Sequence, residues 1–198
     1  MEVFDKFYER YDEWYDKNRD VFLKEVEVVK KIRFSGFGIE IGVGTGRFAH
    51  ALGVEYGIDT SFNMLLKAKE RGIKVLNAQA ENIPFKDEIF DFALIIVTIC
   101  FVKNPLMVLK ETKRILKDNG KVVVGIIDKE SVLGKLYQKK ESPFYKEANF
   151  YSPKDILIFF KETGFSYDES YQLLIPYKDE ILPGFGEGSF VVLSGIKK

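Results

Sequence analysis

The sequence predicts an α/β fold: a mostly parallel sheet with helices on both faces, closed by an antiparallel strand. Three observations carry this. Short apolar runs alternate with amphipathic stretches from residue 37 to residue 127, the pattern of strand–helix–strand units whose parallel strands need crossovers. The run "FDFALIIVTICFV", beginning at Phe90, is apolar almost throughout, as a central strand buried on both faces must be. The last two expected strands, about 166–174 and 189–196, are joined by a Gly/Pro-rich loop with no helix between them, so they pair as a hairpin.

Each element follows from local pattern. Residues 3–16 place Phe4, Phe7, Tyr8, Tyr11, Trp14 and Tyr15 at helical spacings of three, four and seven. Asn18 and Asp20 interrupt, and a second helix over about 20–32 puts Val21, Phe22, Val26 and Val29 on one side. "FGIEIG" reads as a short buried strand. A helix near 46–52, a strand near 54–58, a helix near 62–71 and the strand "IKVLNA" follow. The fourth strand starts at Phe90, and "NPLMVLKETKRILK" is amphipathic with Pro105 in its first turn. "DNG" at 118–120 turns into a fifth strand, "KVVVGII". Residues 128–150 read as a less regular stretch of charges and aromatics. "SPKDILIFFKETG" is a punctuated helix, with Ser152 as N-cap, Pro153 at the first position and Gly164 just past the end.

Composition bounds the function. The 198 residues are 46% hydrophobic and 15% aromatic, with 30 basic and 30 acidic side chains, so a real core is available and nothing pulls the chain globally toward nucleic acid or anionic membrane. The single cysteine, Cys100, excludes an intrachain disulfide and a cysteine metal cluster. The charged N-terminus "MEVFDKFYERYDEW" lacks the apolar centre of a signal peptide, and no run approaches 18 apolar residues. The expectation is one cytoplasmic domain without a membrane span.

The first strand ends in "GIEIGVGTG", where Gly42, Gly44 and Gly46 are spaced by two. In an open parallel sheet ligands bind at the carboxyl ends of the strands. Gly42 and Gly44 there remove the Cβ atoms that would keep a ligand off the backbone, and Gly46 lets the next helix approach with its N-terminus facing the ligand. The dinucleotide fingerprint would need a third glycine where Arg47 stands, and no Gly-Lys-Ser/Thr follows for a phosphate loop. "VEYGIDTS" ends a second strand at Asp59, 17 residues after Gly42. A carboxylate there can accept from both hydroxyls of a ribose; equally, it can cap the helix that starts near Ser61.

Taken with "AENIPF", "FDFALII", "LKETKRILKDNGKVVVGI" and "FYSPKDILIFFKETGF", in this order and at these distances, "EIGVGTG" and "GIDTSFNMLLKAKERG" make the chain resemble the class I S-adenosylmethionine-dependent methyltransferases. The likeness spans about residues 36–175 and is closest to the small-molecule branch of ubiquinone and menaquinone biosynthesis. It implies a Rossmann-like seven-stranded sheet of order 3-2-1-4-5-7-6 with strand seven antiparallel. The single domain then divides into an N-terminal helical cap (1–33), a cofactor-binding core (34–127), a variable acceptor-side segment (128–152) and a C-terminal helix and hairpin (153–198).

The resemblance also implies roles. Glu40 and the loop Gly42, Val43, Gly44 and Gly46 hold the methionine end of S-adenosylmethionine, and Asp59 holds the ribose. Thr60 and Met64 flank the adenine, although Met64 also suits plain core packing. Ala80 and Glu81 offer backbone to the adenine edge. Gln79 stands where the family often has Asp; its amide oxygen can accept the adenine amino group's bond without charge assistance. Val97, Thr98 and Ile99 end strand four beside the methionine portion, and Thr98 serves either the ligand or a nearby carbonyl.

The family's quinone-type histidine pair is absent, its positions being Cys100 and Phe101. Cys100 and His50 read as structural, no catalytic base is named, and no metal-ligand spacing occurs. Tyr11, Trp14 and Tyr15 either line a pocket around the sulfonium or an amine acceptor or pack the first helix on the body. Phe144, Tyr145, Phe150 and Tyr151 could complete an apolar pocket. Walls of this kind favour a small acceptor over RNA, and "VTICFVKNP" does not fit the Asn/Asp-Pro-Pro-Tyr-type motif of enzymes that methylate nucleic-acid amino groups. The expected function is methyl transfer to a small molecule by direct displacement; the alternative is a binding protein of the same fold without the chemistry.

Overall fold

The apolar runs become β1 (Gly38–Ile41), β2 (Tyr56–Asp59), β3 (Lys74–Asn77), β4 (Phe90–Ile96) and β5 (Leu116–Ile127), followed by β6 (Phe165–Leu173), β7 (Ile181–Pro183) and β8 (Phe190–Lys197). They form one sheet in the order β3-β2-β1-β4-β5-β8-β6-β7. The first five strands pair in parallel, while β8 lies antiparallel between β5 and β6. The computed structural model describes residues 2–176 and 178–198, the side chain of Glu2 excepted.

Without β7 the order is the expected 3-2-1-4-5-7-6. The sheet nevertheless has eight strands among the described residues, not seven. Ile181–Pro183, inside the expected Gly/Pro-rich loop, pairs with Tyr171–Leu173 at the sheet edge. An edge is where a strand tolerates proline, which lacks the N–H a central ladder needs. The "DNG" turn is also corrected. Phe90 pairs with Leu116 and Phe92 with Lys121, so residues 117–120 form a bulge inside β5, with Asn119 at φ 62°.

The helices are α1 (Glu2–Lys6), α2 (Tyr8–Lys17), α3 (Arg19–Lys31), α4 (Arg47–Leu52), α5 (Phe62–Glu70), α6 (Pro105–Ile115), α7 (Val132–Lys139) and α8 (Pro153–Thr163). Two apolar layers sandwich the sheet. One includes Val28, Val29 and Phe48 against Leu94 and Val192; the other packs Leu109, Ile156 and Phe160 against Ile95, Val124 and Leu193. The α8 punctuation is as read, with Ser152 and Asp155 forming a reciprocal capping box and Gly164 at φ 76°.

Two local expectations fail for visible reasons. The helix expected over 3–16 breaks at Phe7. Asp5 Oδ1 accepts from Ser61 Oγ at 2.8 Å and from the Asn63 N–H at 3.0 Å, which pins α1 to the start of α5 and away from the α2 axis. The stretch read as irregular contains α7, capped by Ser131 through a 3.0 Å bond from the Gly134 N–H. Val132, Leu133, Leu136 and Tyr137 recur there at helical spacing, although Gly134 is the one fully buried residue of α7.

Candidate functional site

The loop after β1 is drawn against β2, because the N–H groups of Gly42 and Val43 both donate to the Ile58 carbonyl, at 2.8 and 2.9 Å. Gly42 sits at φ 73°, and a Cβ there would collide with the Thr98 side chain. Gly44 is at φ 53°, and its missing Cβ would stand 3.8 Å from Met64 Sδ and 3.9 Å from Tyr11 Cε1. Both of those residues wall the same cavity. The bare backbone is thus closely covered by Thr98, Met64 and Tyr11, all three at the wall of that cavity.

Asp59 closes that space from the end of β2. Its Oδ2 accepts from the Gly44 N–H and its Oδ1 from the Ser61 N–H, each at 2.9 Å. Burial raises the carboxyl's pKa while these N–H bonds oppose the rise. The carboxylate keeps acceptor capacity beyond these bonds. The helix-capping role belongs to Ser61, whose hydroxyl accepts from the Met64 N–H at 3.2 Å.

Of the expected cofactor residues, Gly42, Gly44, Asp59, Thr60, Met64, Ala80 and Thr98 meet around one cavity of about 60 Å³. Thr98 also donates to the carbonyls of Gly42 and Ile96, each at 3.1 Å. Gly46 and Val43 lie behind the wall: Gly46 holds a left-handed conformation ahead of α4, and Val43 packs its side chain against Gly57. Gln79 is exposed and outside the wall. Glu81 turns its carboxylate to the N–H groups of Lys103 and Asn104, at 3.0 and 3.3 Å. Glu40 is buried beneath the loop; one oxygen has no partner among the described residues, and burial drives its carboxyl's pKa far up against a bond from the Ala49 N–H.

A second cavity, of about 290 Å³, adjoins the first. Phe4, Tyr11, Val97 and Phe101 wall both. Val97 adopts φ 50°, a strained conformation for a β-branched residue that sequence pattern does not show. Trp14, Tyr15, Phe144, Tyr145, Phe150 and Tyr151 continue the second chamber, so the aromatic residues singled out in sequence do come together. Tyr11 and Tyr15 share a hydroxyl bond of 3.0 Å, and Phe4 stacks edge-on to Phe101 at 4.8 Å. The stripe lines this chamber and also packs the helix on the body, since Tyr15 packs against Phe22 and Phe48.

Glu25 was not singled out in sequence. It is 5% exposed, opens on the second chamber and has no hydrogen bond or ion pair among the described residues. Burial alone pushes its carboxyl up to about 8. The signal was present: Glu25 falls three or four residues from Val21, Phe22, Val28 and Val29, on the apolar stripe of its helix.

The N-terminal helices are fastened over both cavities. Asp12 Oδ1 accepts from Arg47 Nε at 2.6 Å and Oδ2 from Arg71 Nη2 at 2.8 Å; Arg71 Nη1 also donates to the Thr45 carbonyl at 2.7 Å. Burial works to raise the Asp12 carboxyl, and the two guanidiniums outweigh it, holding it at about 2. His50 bonds the Arg71 carbonyl oxygen through Nδ1 at 3.1 Å, and burial pushes the Cys100 thiol up to about 12, so the thiol is not an activated nucleophile. Among the described residues no His/Cys/Asp/Glu cluster could hold a metal ion, and no helix is long and apolar enough to cross a membrane.

The comparisons with known proteins agree with this geometry. A family model described as a methyltransferase domain matches residues 39–124. An uncharacterized protein of Methanocaldococcus jannaschii is 45% identical over 204 residues, covering 100% of both chains. A demethylmenaquinone methyltransferase of a Geobacillus strain is 30% identical over 216 residues, covering 96% of this chain and 87% of its own. A crystal structure from Thermotoga maritima, described as a SAM-dependent methyltransferase and possible histamine N-methyltransferase, superposes with a TM-score of 0.96 at 43% identity, covering 100% of this chain and 99% of that one.

Proposed function

The chain belongs to the S-adenosylmethionine-dependent methyltransferases, and from that premise we propose that it moves a methyl group from this cofactor to a small-molecule acceptor by direct displacement. The observation that carries the proposal is the junction of the two cavities. A site built on Gly44 and Asp59 shares Phe4, Tyr11, Val97 and Phe101 with an adjoining aromatic chamber of small-molecule size. The T. maritima neighbour's description as a possible histamine N-methyltransferase is in keeping with a small acceptor.

The residues present fit the cofactor. Gly44 leaves the backbone bare where the cavity needs room, Asp59 offers acceptors to ribose hydroxyls, and the unpartnered oxygen of Glu40 suits an ammonium donor. Thr60, Met64 and Ala80 would flank the base, with Gln79 and Glu81 toward its outer edge, and Thr98 with the Gly42–Gly46 backbone would hold the amino-acid end. When bound, the cofactor supplies a methyl group already activated by the sulfonium charge. The chain's own work is then alignment and exclusion of water. Alignment alone lowers barriers by up to ~7–11 kcal/mol in well-oriented systems. In this reading residues 1–33 act as the cap, 34–127 hold the cofactor, 128–152 shape the acceptor side and 153–198 complete the sheet.

The test is calorimetric titration with S-adenosylmethionine and S-adenosylhomocysteine on wild type and Asp59→Ala. Micromolar binding, weakened at least about tenfold in the variant, is expected from loss of two charge-assisted bonds. A folded wild type that binds neither would sink the proposal. Binding without turnover across a panel of small amines, alcohols and thiols would leave a binding protein of the same fold.

A further inference from the structure

A buried carboxylate without a partner is costly, and proteins ordinarily supply it a hydrogen bond or a counter-charge. Glu25 has neither among the described residues, although its α3 neighbours Val26, Val28 and Val29 show that an apolar side chain would pack there. Its carboxyl opens on the aromatic chamber, so the missing donor can come from whatever the chamber holds.

The rest of the chamber defines that donor. Tyr11, Trp14, Tyr15, Tyr137 and Tyr145 surround the space, and aromatic faces attract cations. The charged groups that also reach it, Arg10, Lys17, Lys140 and Glu141, are exposed and stand at its rim. An anionic acceptor would therefore meet Glu25 with no buried counter-charge.

We propose that the chamber takes an amine: a small molecule with an apolar body and a basic nitrogen, whose ammonium group pairs with the Glu25 carboxylate and gives it a proton. This rests on the methyltransferase reading above. The proton step balances as ammonium plus carboxylate giving free amine plus carboxylic acid: one N–H bond breaks, its electron pair stays on nitrogen, and one O–H bond forms on Glu25. An ammonium nitrogen has no lone pair for displacement, so this step is what makes the acceptor nucleophilic.

The groups facing Glu25 leave the proton to it. The phenols of Tyr11 and Tyr15 on α2, of Tyr137 on α7 and of Tyr145 beyond it are all raised above their ordinary range, burial being the first cause. They stay neutral where Glu25 changes charge, as does the Cys100 thiol.

The experiment compares 2-phenylethylamine with its neutral isostere 2-phenylethanol by calorimetry at pH 9, where Glu25 is ionised and the amine is still largely an ammonium, on protein saturated with S-adenosylhomocysteine. Wild type is expected to bind the amine at least about tenfold more tightly than the alcohol, and Glu25→Gln to lose that preference while its S-adenosylhomocysteine affinity stays unchanged. Equal binding of the two probes, binding of neither, or a preference kept in Glu25→Gln overturns the proposal. The wild-type comparison needs no variant and so decides the matter even where Glu25→Gln fails to fold. Failure to bind S-adenosylhomocysteine at all would instead count against the cofactor reading.

Discussion

At the scale of single residues, Glu25 makes the folded protein sensitive to pH. Its carboxyl lies at about 8 in the fold against 4.5 in an open chain, so the native state holds this proton more tightly than the unfolded one. The corresponding stability is fully present below pH 4.5 and is lost as pH rises through about 8. Denaturant unfolding of wild type and Glu25→Gln at pH 5, 7 and 9 should show the variant gaining on wild type with pH, by up to about 1.4 kcal/mol per pH unit. Parallel profiles would mean that Glu25 stays charged or solvated in the fold. The same residue shows where sequence reading stopped. Gly42, Gly44 and Asp59 were legible because their spacing along the chain fixes their place at the strand ends. The place of Glu25 on the α3 stripe marked by Val21, Phe22, Val26 and Val29 was legible too, but its chamber was not, because what faces that stripe comes from α2, α7 and the loop after it.

At the scale of elements, the cap helices are held by polar clasps rather than by length. The five residues of α1 and ten of α2 are too short to persist alone in water. Asp5 ties α1 to α5, and Asp12 ties α2 to Arg47 and Arg71 beside the glycine loop. Asp12→Ala leaves two partly buried guanidiniums without their shared partner, which should cost on the order of 1–3 kcal/mol, felt first in the cap. Trypsin should then cut after the exposed Lys17 and Arg19 faster than in wild type, with the sheet intact by circular dichroism; unchanged cleavage would show that aromatic packing alone seats α2. Elements were legible in proportion to their punctuation and their inward face. Ser152, Pro153 and Gly164 delimit α8 within the sequence itself. In contrast, α7 buries only Gly134 fully, β7 is three residues at an edge, and the β5 bulge depends on its register with β4, which no single segment encodes.

At the scale of the whole molecule, sheet and cap meet around the cofactor cavity. The walls at β1, β2 and β4 belong to the buried centre of the sheet, whereas Phe4 and Tyr11 belong to the clasped cap. Local opening favours the element with least burial, so α1 and α2 are expected to open for cofactor entry while the strands stay in place. Binding then closes them again. Without ligand, amides of residues 3–17 should exchange with deuterium well before those of β4 and β5. Saturating S-adenosylhomocysteine, at about 100 times its dissociation constant, adds about 2.7 kcal/mol to global stability, or roughly 5–11 °C in Tm for a chain of this size. Its largest slowing of exchange should fall on residues 3–17. A rise in Tm without that slowing would mean that the cofactor reaches Asp59 past a cap that never moves, and that the clasps at Asp5 and Asp12 hold structure without governing entry.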